Sequence, residues 1–388
     1  MASSTSHRAD RAAPVLGVRA LNRATLARQL LLARAECSAR DAVTHLIGLQ
    51  AQNVKPPYYQ LHARLRGFRP EELAGLMESR QVVRMVTMRS TIHTHTAEDA
   101  LTLRPLVQPA RDREIGNFRK GLVGVDLQRL ARLARAFVDS EPRTMAEIRT
   151  ELLAAWPDAD PASLAVAARC KLPLVQVTPR GVWGRAGQVR LTTLDNWLRG
   201  GGGGRGSTGC DASPPAASVD EVVLRYLGAF GPASVKDMQV WAGLTRLREA
   251  FERLRPGLLV FRDENGVELF DLPDAPRPDP GTHAPPRFLP EFDNLLLSHA
   301  DRSRVIPAHL KGRTWRGNQA YCTLLVDGFV AGVWKMTETG LVVELFTEVS
   351  GAQRQEIVGE GELLLDGMRD GAAGEGPGGG VCFGAVTG

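Results

Sequence analysis

The stretch Val82-Val83-Arg84-Met85-Val86-Thr87-Met88-Arg89-Ser90-Thr91-Ile92-His93-Thr94-His95-Thr96 decides how this chain folds. Two β-rich runs, 82–88 and 91–96, flank Arg89-Ser90, so the segment reads as a hairpin closed by a short turn. Upstream, apolar residues recur at helical spacing over 22–33, 39–49 and 70–78. Helix, helix, helix, hairpin is the order of a winged helix.

The same order occurs twice more. After a helical connector at 97–118, the apolar positions Leu127, Leu130, Leu133, Ala134 and Phe137 predict a helix over 127–138. Thr144 and Glu147 form a capping box before a helix at 148–155, because each side chain satisfies the other's orphan amide. A third helix is expected at 162–170, and strands at 174–177 and 182–185 around Thr178-Pro179-Arg180-Gly181 supply the wing. The next copy has helices at 222–229, after the capping run Ser234-Val235-Lys236-Asp237, and at 246–254, with strands 258–261 and 267–270 around Asp263-Glu264-Asn265-Gly266. Beyond residue 287 the pattern turns β, with strands at 321–326, 329–336 and 340–346.

The expected fold class is therefore α+β: three tandem winged-helix units followed by a small antiparallel β-barrel. The boundaries read as a disordered arm (1–14), winged helix 1 with its connector (15–118), winged helix 2 (119–199), a Gly/Pro linker (200–218), winged helix 3 (219–286), the barrel (287–350) and an acidic Gly-rich tail (351–388). Disorder is expected from residue 371 onward.

With 388 residues and 43% apolar content the chain can bury a substantial core. Lys+Arg 48 against Asp+Glu 43 leaves +5, and the excess lies in the first two thirds, at Arg64, Arg66, Arg69, Arg80, Arg84, Arg89, Arg111, Arg113, Arg119 and Lys120. That favours a polyanionic partner, although an arginine-biased, high-GC genome produces the same excess. Cys37, Cys170, Cys210, Cys322 and Cys382 are scattered without a CxxC, which speaks against a disulfide framework or zinc knuckle and for the cytosol. No apolar run approaches a membrane span, and residues 1–14 lack the apolar core of a signal peptide. A cytoplasmic, nucleoid-associated monomer without cofactor or metal is expected.

A second stretch carries the chemistry. Leu49-Gln50-Ala51-Gln52-Asn53, read as the end of the helix-like run 40–48, places two neutral amides close together, each with two donors and one acceptor. Together with Met88-Arg89-Ser90-Thr91-Ile92-His93 and the run Phe288-Leu289-Pro290-Glu291-Phe292-Asp293-Asn294-Leu295-Leu296-Leu297-Ser298-His299-Ala300-Asp301-Arg302-Ser303, it resembles the winged-helix DNA glycosylase family of the AlkZ and YcaQ type. The resemblance spans roughly residues 15–346. It implies winged helices and a β-barrel wrapped around double-stranded DNA with alkylated bases. The activity implied is monofunctional excision of bulky alkylated purines, interstrand crosslinks included. The Gln-x-Gln form looks like the AlkZ-type subgroup, found among antibiotic producers that protect their own genome; the other type has aspartate at the second position. The five-glycine linker and the long tail depart from the family pattern without touching these motifs.

A purine alkylated at N7 or N3 is already cationic and leaves as a neutral base, so its departure needs little acid catalysis. In this reading Gln50 orients the attacking water, and Gln52 contacts the developing sugar cation or the same water. Asn53, Arg84 and Arg89 are the expected DNA contacts beside them, the arginines because a guanidinium presents a planar donor fork to phosphate. His93 and His95, two apart in a strand, share one face. That face either meets DNA or is simply solvated. Glu291 and Asp293 read as structural, with Arg302 and Arg304 as their partners or as backbone contacts. Lys55, expected in a solvated turn, is poorly placed for a Schiff base, so water is the nucleophile. The competing function is a non-catalytic winged-helix transcriptional regulator. Its size and the acidic Glu71, Glu72 and Glu78 on the first unit's third helix speak against that.

Overall fold

The computed structural model describes residues 13–200, 217–368 and 379–386. Most of the arm and of the Gly/Pro linker, and residues 371–378 of the tail, lie outside the described residues. The first unit has helices Val18–Arg28, Ala39–His45 and Pro70–Glu78 before the hairpin of Val82–Val86 and Ile92–Thr96. A further helix, Pro56–Arg64, was not expected. Its two leading prolines read as a turn, but proline costs nothing in a helix's first turn, where the amide has no partner to lose. Every residue of that helix is buried.

The second unit follows with Leu127–Ser140, Met145–Ala155 and Pro161–Lys171, and the Thr144 and Glu147 capping box is present. The third has Val219–Phe230, Val235–Ala242 and Arg248–Leu254, then the hairpin of Leu259–Asp263 and Glu268–Asp271. Val15–Leu16 adds a parallel edge strand to that last hairpin.

The first two wings do not stand apart. They merge into one five-stranded sheet in the order Leu49–Gln50, Ile92–Thr96, Val82–Val86, Leu174–Gln176, Leu191–Thr193. The second wing is thus corrected: Leu174–Gln176 pairs with Leu191–Thr193, and 182–185 is not a strand. Burial explains the difference. Val182 is buried, and Trp183 packs against Tyr58 at 4.9 Å and Tyr59 at 6.2 Å between ring centroids. The excursion carrying them is tied to the unexpected helix by a bond from the Tyr58 hydroxyl to the Gly181 carbonyl, 2.7 Å. Apolar contact of that size outweighs a few ladder hydrogen bonds.

The C-terminal unit is a sheet of Arg287–Leu289, Cys322–Val326, Phe329–Thr337, Gly340–Leu345 and Val381–Phe383. Among the described residues no ladder joins its two edge strands, so the closure of the expected barrel is not found there. The expected tail is also corrected. Residues 351–367 form the helix Gly351–Gly367, capped by Ser350 and Gln353, which buries Ile357, Leu364 and Leu365. Val381–Phe383 pairs parallel to Gly340–Leu345 where disorder was expected. Glycine content hid the helical period here. At Gly361 it serves contact, since a Cβ would meet Val381 Cγ2 at 2.5 Å.

Buried ion pairs tie the units together. Arg64, on the helix Pro56–Arg64, donates to both carboxylate oxygens of Asp293 at 2.8 and 2.7 Å, and both side chains are fully buried. Arg28 and Asp271 form a second such pair at 2.5 and 2.9 Å. Asp293 is therefore structural, as expected, but its cation is Arg64, while Arg304 donates to the Pro232 carbonyl at 2.8 Å. Removing one member of such a pair strands a charge away from water. Asp293→Ala should cost about 3–5 kcal/mol in urea unfolding; a loss below about 1 kcal/mol would show that Arg64 finds solvent or another acceptor.

Candidate active site

The helix Ala39–His45 stops because Ile47 (φ 55°) and Gly48 (φ 92°) turn the chain through the left-handed region. Glycine is required at 48, where a Cβ would lie 2.3 Å from His95 Nδ1 and 3.0 Å from the Thr94 carbonyl. Leu49–Gln50 then pairs antiparallel with the hairpin, Leu49 opposite Thr94 and Gln50 opposite His93. The glutamine pair thus begins on an edge strand, not at a helix end. Asn294 holds this strand from the C-terminal side, donating to the Gly48 carbonyl at 2.8 Å and accepting from the Gln50 amide at 3.4 Å. Gln60 donates to the Gln50 carbonyl at 3.0 Å.

Gln50 itself is only 3% exposed. Its Oε1 accepts from Arg89 Nη2 at 2.6 Å, and the other arm of that guanidinium donates to the Trp241 carbonyl in the third unit. Arg89 and Ser90 are both left-handed, at φ 52° and 60°, a conformation that costs about 1–3 kcal/mol per non-glycine residue unless its surroundings impose it. Ser90 Oγ donates to Glu114 at 2.5 Å, and Glu114 also takes Arg111 at 2.7 Å and Arg169 at 2.5 Å. Burial, helped by the nearby Arg302, lowers the Arg89 pKa to about 10, which still leaves the guanidinium charged at neutral pH.

Gln52 is exposed, with its Oε1 fixed by the Ile92 amide at 3.0 Å. Asn53 is exposed and donates to Glu291 at 2.8 Å. Both glutamine oxygens are anchored, so both amides have a set orientation.

Arg84 needs correction. It is 2% exposed and donates to the Ala51 carbonyl at 2.9 Å, the Asn53 carbonyl at 3.4 Å and Gln176 Oε1 at 3.3 Å. It shapes the 51–53 loop from inside, its donors spent on protein oxygens. His93 and His95 do share a face, but that face is covered. Their rings stack at 5.5 Å with Thr87 Oγ1 between them, 3.1 Å from His93 Nδ1 and 2.9 Å from His95 Nε2. Neither a DNA contact nor a solvated strand face is available to them here. Lys55 is exposed, its Nζ 5.8 Å from the Trp183 ring. Among the described residues no group of three His, Cys, Asp or Glu is arranged to hold a metal.

Two clefts flank the turn Met88–Ser90. One, of about 410 Å³, is edged by Arg89, Ser90, Arg111, Arg113 and Glu114. Arg113, which lines it, is exposed, as are Arg119 and Lys120 further along the chain, whereas Arg64 and Arg111, counted with them from sequence, are buried. The other, of about 300 Å³, has Gln52 on its rim. The sequence reading also missed a small hairpin, Trp315–Arg316 with Gln319–Ala320. Its signal was Gly317-Asn318, a two-residue turn. Arg316, Asn318 and Gln319 are exposed on it, and Trp315 meets Phe292 edge-on at 5.5 Å, two residues from Asn294.

A family model described as DNA glycosylase AlkZ-like matches residues 43–366. An interstrand DNA cross-link repair glycosylase of Streptomyces sahachiroi is 28% identical over 147 residues, which span 34% of this chain and only 38% of that relative's length. The solved structure of Streptomyces sahachiroi DNA glycosylase AlkZ matches with a TM-score of 0.74 at 19% identity, covering 95% of this chain and 100% of that one. At that identity the likeness speaks for the fold.

The covered imidazoles give the protein a pH signature. Burial lowers His95 and His62 to about 4, His299 to about 3 and His93 well below its usual range. In the unfolded chain each takes a proton near pH 6.5. The folded pKa values are depressed, so the stability is present above about pH 6.5 and is lost as the pH falls toward 4. Each imidazole contributes up to about 1.4 kcal/mol per pH unit in that window. The urea midpoint should drop between pH 7.5 and 5.5; an unchanged midpoint would mean that these rings are accessible to protons.

Proposed function

Since the chain belongs to the AlkZ-like DNA glycosylase family, whose model matches residues 43–366, we propose that it is a monofunctional glycosylase for bulky cationic N7- and N3-alkylpurines in duplex DNA. Unhooking of interstrand crosslinks, in repair or in self-resistance to a genotoxic natural product, belongs to the same reading. The observation that carries it is Gln52: an exposed amide of fixed orientation on a cleft rim, with the Gln50 amide held in place behind it by Arg89.

In the proposed reaction the electrons of the C1′–N9 bond (for an N7-alkylguanine) collapse onto the base, which leaves neutral. The sugar becomes an oxocarbenium ion. An amide oxygen keeps a second lone pair when one is already engaged. Gln52 Oε1 can turn that pair toward the sugar cation, and Gln50 Oε1 toward the attacking water, whose proton passes to solvent. No amine attacks carbon, so an intact abasic site remains. The work asked of the amides is electrostatic, about 2.7–4 kcal/mol for a preorganised polar contact.

The duplex is held, in this reading, by the exposed Arg113, Arg119 and Lys120 and by the hairpin carrying Arg316, with the protein acting as a monomer on the chromosome. A promoter-reading role finds no support in the helix Pro70–Glu78. It turns Leu73 and Met77 into the core and leaves Glu71 and Glu72 outside.

Gln52→Ala should lower excision of N7-methylguanine by on the order of 10²-fold with DNA affinity unchanged. Gln50→Ala is the less clean variant. It removes an acceptor from a partly buried guanidinium, so about 1–3 kcal/mol of stability should go with the activity. Affinity should fall with salt at a log-log slope of about −0.9 per phosphate contact, and Arg113→Ala should reduce that slope by about 1. Excision should persist in EDTA; a covalent enzyme–DNA adduct captured by borohydride would assign the nucleophile to an amine instead.

A further inference from the structure

We propose that the carboxylate of Glu291, bonded to the loop that carries Gln52, supplies a negative charge that stabilises the sugar cation. The proposal rests on the glycosylase reading and deepens it. The two carboxylates of the C-terminal motif read alike in sequence, yet the fold treats them differently. Asp293 is fully buried and spends its charge on Arg64. Glu291 is half-buried, and both of its hydrogen-bond donors are neutral: Asn53 Nδ2 reaches Oε1 at 2.8 Å and the Cys322 thiol reaches Oε2 at 3.1 Å. Burial, and after it the Glu291 charge, pushes the Cys322 thiol well above its usual range, so it stays an S–H donor. Among the described residues no lysine, arginine or histidine pairs with Glu291, and its charge is left uncompensated.

The backbone enforces the split. In an extended strand residues 291 and 293 would share one face. Phe292, between them, is left-handed at φ 61°, a costly conformation for a bulky side chain, and its ring meets Trp315 edge-on at 5.5 Å. That kink lets Asp293 enter the core while Glu291 turns to the 51–53 loop. Asn53 directly follows Gln52, so its bond fixes the carboxylate one residue from the exposed amide, across 238 positions of sequence. The chemistry has a use for an anion there. The alkylated purine leaves neutral, and the sugar carries the positive charge of the transition state. Gln50 and Gln52 offer lone pairs without net charge. A full charge acts without touching the sugar, since Coulomb attraction falls only as the inverse of distance, and away from bulk water it is screened less. The same anion repels the phosphates, so it opposes binding while it assists bond cleavage. A loop tie that served structure alone would show no such opposition.

The test measures two quantities for the full chain: the single-turnover rate of N7-methylguanine excision, and the affinity for the same duplex carrying a tetrahydrofuran abasic analogue. Glu291→Gln keeps the size of the side chain and the acceptor for Asn53 but removes the charge. Its rate should fall on the order of 10²-fold, while its affinity stays level or rises. Glu291→Asp keeps the charge and should retain the rate to within about 10-fold. Thermal unfolding should not separate the two variants, which share the fold. A Glu291→Gln protein as fast as wild type, equal losses of rate in both variants, or a loss of affinity that accounts for the loss of rate would each overturn the role of Glu291 and leave the glycosylase standing. Wild-type protein that leaves N7-methylguanine in place would overturn the glycosylase reading, and the role of Glu291 with it.

Discussion

The guanidinium of Arg89 is the contact on which the site depends. It reaches the Trp241 carbonyl with one arm and Gln50 Oε1 with the other, at 2.6 Å, and so joins the third helical unit to the edge strand of the first. A backbone carbonyl and a neutral amide are poor partners for a cation compared with a carboxylate, and burial is costly for such a charge. What makes the arrangement tenable is that the turn carrying the guanidinium is held on both sides: Gly243 packs against the Arg89 backbone, and Glu114 anchors Ser90 next door. A strained turn, a half-buried cation and an oriented amide are thus one device, and each part needs the other two.

The long C-terminal motif supports that device from the opposite side. Asp293 fixes Arg64, while the adjacent Asn294 spends both ends of its amide on the Gly48 carbonyl and the Gln50 nitrogen. Residues some 240 positions apart in sequence therefore set the position of one strand of two residues. A strand that short has little stability of its own; its geometry is imposed from both flanks.

The helices and hairpins were legible in the sequence because period and capping are local. Thr144 and Glu147 announce themselves within four residues. What escaped was decided at a distance. The merging of two wings and the seating of Trp183 under Tyr58 follow from partners remote in sequence, while the helix Gly351–Gly367 was hidden by its own glycines. In the site, Gln50, Gln52 and Asn53 were legible as a motif, and alternation correctly put His93 and His95 on one face. Alternation says which face a side chain takes and nothing about what covers it, so Arg84 and both histidines were read as open when Thr87 and the 51–53 loop enclose them. Arginine count misled for the same reason: Arg64 and Arg111 belong to the interior, and Arg113 and Lys120 to the surface.

The two glutamines differ in how far the rest of the molecule has invested in them. Gln50 is a structural member as well as a proposed reactive one, and exchanging it disturbs Arg89 and the third unit behind it. Gln52 stands in the open, tied by one bond to the Ile92 amide, which any side chain of similar reach with an oxygen could accept. Position 52 is consequently where the chemistry can drift without asking the fold for permission. A carboxylate there could take the same amide and add a full negative charge to the site, widening the range of leaving groups through a single codon neighbourhood while the scaffold stays fixed.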